Sequence, residues 1–225
     1  MAAHSAAIAE QLFTPHHYRS SALRSPDGRW LAYSRIHFTP APQLHASQVE
    51  SLLLLEDLLE GRLQAQASSP FPSAASSAGT SSAGTSSAGT ADPFAPAADC
   101  SPSPAGSIAI LMPIAWNQTG DRLLARQFEG RFCSSMATDY ALIWETLTGQ
   151  VQTLTPPRQE QAMLLGWSQR HPQAVLFEAG SLYDSPMPRW RMTGPGAAVP
   201  APEDQPLGYG EAIADSLMGP QTHRR

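Results

Sequence analysis

Apolar and polar residues alternate most clearly between Ile108 and Thr155. Ile108, Ile110, Met112 and Ile114 recur at every second position, the period of a strand buried on one face. Asn117-Gln118-Thr119-Gly120-Asp121 then interrupts the run with residues that accept the left-handed backbone of tight hairpins. Leu123 to Phe128 reads as the return strand. In the next strand Tyr140, Leu142 and Trp144 share one face, while Ala141 and Ile143 share the other. Thr148-Gly149-Gln150 forms a second turn, and Val151 to Thr155 is a fourth strand stopped by Pro156-Pro157. The pattern predicts a four-stranded meander, which needs a neighbour to cover its faces.

Weaker copies flank this unit. Ser25-Pro26-Asp27-Gly28 precedes the apolar strand Trp30 to Tyr33. Leu52 to Glu56, Gly61 and Leu63 take the places of Leu142 to Glu145, Gly149 and Val151. Leu164-Leu165-Gly166-Trp167-Ser168 matches Pro113-Ile114-Ala115-Trp116-Asn117, with Ala174 to Phe177 as the return strand. Asn117 and Ser168 stand 51 residues apart, close to the ~40–50-residue period of propeller blades. One stretch conflicts with the repeat: Val49 to Leu63 is rich in Leu and Glu, both strong helix formers. Sheet neighbours override propensity, so strand, turn and strand are expected there.

Ser25-Pro-Asp-Gly with Leu31-Ala32-Tyr33, closing on a strand such as Gln152-Thr153-Leu154-Thr155, resembles the WD40-like PD40 repeat. That repeat builds TolB propellers and the N-terminal propeller of prolyl-oligopeptidases. The second and third copies depart from it, reading Asn-Gln-Thr-Gly and Ser-Gln-Arg-His-Pro. The resemblance implies a mainly β protein: two to three four-stranded antiparallel blades of WD40/TolB-like type in an incomplete propeller. Blades are expected at 20–66, at 107–157 and, in degenerate form, at 158–200. Around them lie an N-terminal segment (1–19), a linker (67–106) and a C-terminal tail (201–225). Short helices are expected near Ala6 to Leu12 and Glu211 to Met218. The linker holds Ser-Ser-Ala-Gly-Thr three times in tandem between Pro-rich runs. It has too few bulky side chains to offset its ordering cost, so disorder is expected.

Composition narrows the chemistry. The 225 residues are 42% hydrophobic and carry a net charge of −5, the opposite of what a nucleic-acid polyanion recruits. All 14 basic residues are Arg, which excludes a P-loop and any lysine nucleophile or base. Met1 to Phe13 lacks the basic start and apolar length of a signal peptide, and no run reaches a membrane-spanning length. Cys100 and Cys133 fall in loop sequence, which suits a reducing compartment without a structural disulfide. A soluble cytoplasmic protein without membrane insertion is the expectation.

Catalytic signals are weak. Gly166-Trp167-Ser168-Gln169-Arg170 lacks the final Gly of a nucleophile elbow, and the repeat already places Ser168 at a turn. His16, His17, His37 and His45 match no metal-ligand spacing. Glu56, Asp57, Glu60, Glu203 and Asp204 read as solvated charges. No catalytic residue, cofactor or metal is expected. Trp116 and Trp167, equivalent in the repeat, are expected in the core. Arg131, Tyr140 and Trp190 are the expected interaction surface, for a protein partner or for self-association. The expected role is a non-catalytic interaction or scaffold module. The alternatives are an accessory propeller related to prolyl-oligopeptidase-type hydrolases without the catalytic domain, or a small-ligand-binding protein.

Overall fold

A computed structural model of the chain describes residues 14–68, 105–135, 137–157, 161–181 and 183–213. The expected helix at Ala6 to Leu12 and most of the linker lie outside these residues. The described residues are mainly β-structure, with one short 3-10 turn at Leu44–Ala46. Three antiparallel meanders follow one another along the chain. The first contains β1 (His16–Arg19), β2 (Ala22–Arg24), β3 (Trp30–Thr39), β4 (Gln48–Asp57) and β5 (Arg62–Ala67), with β1 and β2 sharing one edge of β3. The second contains β6 (Ser107–Trp116), β7 (Arg122–Arg131), β8 (Ala137–Glu145) and β9 (Val151–Leu154). The third contains β10 (Gln161–Ser168), β11 (Val175–Gly180), β12 (Arg189–Met192) and β13 (Ala198–Pro200). β14 (Pro206–Leu207) and β15 (Glu211–Ile213) complete the set. The strand order does not close on itself.

Val49 to Leu63 is strand, turn and strand. Leu52 to Leu55 are all buried, Leu53 and Leu55 completely. Ten residues of β4 pair with β3, and six of them also pair with β5 on the other edge. An α-helix would have turned some of these four leucines toward water, whereas a covered sheet buries both faces. At the other end, Glu211 to Ile213 form β15 rather than the start of a helix, because the edge of β2 supplies pairing partners.

Two apolar layers separate the meanders. The first packs Trp30, Ala32, Leu53 and Leu55 against Leu111, Trp116, Leu123, Ala125, Leu142 and Trp144. The second packs Ala115, Leu124, Ala141, Ile143 and Leu154 against Leu164, Trp167, Val175, Phe177 and Met192. Parallel contacts of β4 with β6 and of β8 with β10 join the first strands of the second and third meanders to the next-to-last strand of the one before.

Each seam has a polar grip at equivalent positions. Across the first, the Leu111 amide donates to Ser51 Oγ at 2.6 Å, and Ser34 Oγ donates to the Leu111 carbonyl. Across the second, the Leu164 amide donates to Asp139 Oδ2 at 2.8 Å, and Arg126 Nη2 donates to the Leu164 carbonyl at 3.0 Å. Arg126 and Asp139 also pair at 2.9 Å. Burial pushes the Asp139 carboxyl up, with the Leu164 amide and the Arg126 charge opposing. These grips satisfy strand groups that would otherwise be buried without partners.

Candidate interaction surface

The turns that follow β2, β6 and β10 lie at one end of the stack and share one design. Ser25, Asn117 and Ser168 donate their amides to the carbonyls of Trp30, Arg122 and Ala174. Their side chains then accept an amide from across the turn: Trp30 to Ser25 Oγ (2.9 Å), Arg122 to Asn117 Oδ1 (3.0 Å) and His171 to Ser168 Oγ (2.9 Å). The three positions matched in the sequence therefore do one structural job, closing a turn with a short polar side chain.

Between the second and third meanders, this end holds an open cleft of about 390 Å³, lined by Asp121, Arg122, Glu145, Leu147 and Gln173 among others. Asp121 Oδ1 accepts from Thr119 Oγ1 at 2.5 Å and from Asn117 Nδ2 at 2.6 Å. These two donors hold its carboxyl below the ordinary range. The Arg122 guanidinium lies over the Trp167 ring at 5.2 Å, and Glu145 accepts from the Thr148 hydroxyl at 3.1 Å. Leu147, at the tip of the β8–β9 turn, is 75% exposed.

The β4–β5 turn repeats the arrangement. Leu59, equivalent to Leu147, is 77% exposed. Beneath it, Asp57 is buried rather than solvated. Arg29 Nη2 donates to its carboxylate at 2.7 Å, and the Leu59 and Glu60 amides donate at 3.0 and 3.2 Å. The Arg29 hydrogen bond, helped by these amides and opposed by burial, brings the Asp57 carboxyl down to about 2. Arg29 also meets Glu60 at 3.4 Å, and Arg62 meets Glu60 at 2.8 Å. Each exposed leucine thus stands on a turn whose charged residues are held in place.

Ser168 and Asp204 come together in a way the sequence did not suggest. Ser168 is buried, and its Oγ donates directly to Asp204 Oδ2 at 2.6 Å. His171 reaches Ser168 only through its backbone amide. In a hydrolytic triad the imidazole stands between hydroxyl and carboxylate; here the hydroxyl already serves as donor to the acid. Burial alone would raise the Asp204 carboxyl. The Ser168 hydroxyl, the Arg170 and Gln205 amides and the Arg191 charge more than offset that, so it sits below its ordinary value. Asp204 thereby ties the 201–205 segment to the third meander, with Arg189 Nη1 donating to its carbonyl.

The three residues expected to form a binding face do not come together. Arg131 ends β7, away from the turns, and is exposed. Tyr140 is buried, because β8 has neighbours on both edges and turns this side chain to the same face as Leu142 and Trp144. Burial, and then the nearby Glu129, raise its phenol. Trp190 is half-buried on β12, and its Nε1 donates to the Ala179 carbonyl at 2.9 Å. Trp116 and Trp167 are buried at the ends of β6 and β10, in the first and second layers. Among the described residues no group of three or more His, Cys, Asp or Glu side chains is placed to hold a metal ion. Among them, too, no helix is long and apolar enough to cross a membrane. Compared with protein-family models, curated proteins and solved structures, the chain finds no match.

Proposed function

We propose that the chain is a non-catalytic protein-interaction module: an incomplete propeller of three WD40-like, TolB-like blades that presents its turn end to a protein partner. The observation that carries this reading is the recurrence of one exposed leucine at equivalent turn tips, Leu59 and Leu147. A single exposed leucine is ordinary. Two at the same place in successive repeats, each over an ordered charged turn, make an apolar contact set in a polar rim, the usual make-up of a docking patch. The blade reading is supported by the meander order, by the junction of first strands with the next-to-last strands of the preceding meanders, and by the two apolar layers. Three blades fall short of the ~4–8 of a closed ring, in keeping with the open strand order of the described residues. Fold alone does not assign function, so the weight rests on the leucine tips.

The test is affinity capture from extracts of the native host with the full chain and with a Leu59→Ser/Leu147→Ser variant. Both sites are exposed, so stability should shift by no more than about 0.5 kcal/mol. A protein retained by the wild type and lost from the variant is the expected result. Identical bound sets would rule out docking at this end.

A further inference from the structure

The segment after Asp204 runs as a strap along the first strands of all three meanders. β14 pairs with β10, Trp167 opposite Leu207. Tyr209 then exchanges two main-chain hydrogen bonds with Trp116 at the end of β6 (2.9 and 3.1 Å). β15 finally pairs with β2, Glu211 opposite Arg24. The fit demands glycine at two alternate positions. A Cβ on Gly208 would lie 2.8 Å from the Cβ of Ala115, and one on Gly210 would lie 2.7 Å from Trp116 Cδ1 and 2.8 Å from the Arg24 carbonyl. Gly210 also has φ +111°, which side chains rarely adopt. Between them, Tyr209 packs against the first apolar layer.

The edges of β6 and β2 are therefore an acceptor for an extended Gly-aromatic-Gly segment, filled by the chain's own Gly208-Tyr209-Gly210. The hold beyond Gly208 is limited to Tyr209 against the first apolar layer, one two-bond bridge, three paired residues and an exposed Arg24–Glu211 contact of 3.5 Å, of a kind that contributes little. Before Gly208, by contrast, Asp204 and β14 are bound to the third meander. Gly208 itself is exposed and stands where a hinge is needed. None of the contacts beyond it depends on which molecule supplies the segment. We propose that this acceptor is an interaction site for a second copy of the chain, with residues 209–213 exchanged between two molecules about Gly208. The occupant is specified by its chemistry, and a second copy carries the required glycines and aromatic in register. Exchange of one terminal element is a low-cost route to a dimer.

Two single-cysteine chains test this, each carrying Cys100→Ser and Cys133→Ser: one has Arg24→Cys, the other Glu211→Cys. The two side chains are exposed and face each other across the strand pair, so neither change disturbs the core. Mixed at high concentration and then oxidised, they form a mixed disulfide efficiently only if the strap of one chain lies on the β2 edge of the other. The expected yield exceeds that of a surface control pair, Leu59→Cys with Glu211→Cys, by about tenfold through effective concentration. Light scattering of the wild-type chain should show a dimer fraction that rises with concentration. A mixed-disulfide yield no higher than the control, together with a monomer at every concentration, overturns the proposal. Ala22→Cys with Ile213→Cys, registered two positions further along the same edge, repeats the test should the first pair oxidise poorly.

Discussion

Glu129 enters the first seam beside Thr138, past the point where the apolar layer ends at Ala125. Gln127 Nε2 donates to its Oε1 at 2.5 Å, and burial still pushes the carboxyl up to about 7 from an ordinary 4.5. A raised carboxyl favours the folded state while protonated. Stability should therefore fall as pH rises from about 4.5 to about 7 and level off above, for a total on the order of 3 kcal/mol. Glu129→Gln should remove most of that fall, so urea midpoints at pH 5 and pH 8 should converge in the variant and differ in the wild type. Nothing in the local sequence marked Glu129, or the buried Asp57 and Asp204, as more than surface charge. Alternation tells which face a residue is on; how far a neighbouring sheet extends over that face is a long-range fact.

At the scale of elements, the β4 stretch shows how context settles a divided preference. Its leucines and glutamates favour helix by a few tenths of a kcal/mol each. Burying Leu53 and Leu55 between two meanders contributes roughly 1.5–3 kcal/mol apiece. Leu53→Ala should accordingly cost about 2–5 kcal/mol, and Trp116→Ala or Trp167→Ala about 3–5. Melting curves unaffected by these changes would contradict the layered packing. The period-two pattern and the turn residues made β6, β7 and β8 legible in advance, because both are local, whereas β4 was read as strand only through its match to the repeat. The three-residue β15 was not legible. Its strand state depends on the free edge of β2, from a segment nearly the whole chain away.

In the molecule as a whole, the two seams do the same work with different chemistry, a serine pair in one and an ion pair in the other. Arg126→Ser alone should leave Asp139 buried without its partner and cost roughly 3 kcal/mol. Arg126→Ser with Asp139→Ser, which copies the Ser34 and Ser51 grip, should recover much of the loss in denaturant titrations. A double variant no better than the single one would show that the two seams are not interchangeable. The strap is a different matter, since it binds all three meanders and belongs to none. Alternation and turn chemistry, which act over a few residues, together with repetition along the chain, were enough to indicate a mainly β protein built of related meanders. Which faces meet, which charges are buried, and where 206–213 lies were decided only in three dimensions. Those outcomes follow from shape and hydrogen-bond matching between segments far apart in the chain, which local pattern does not encode.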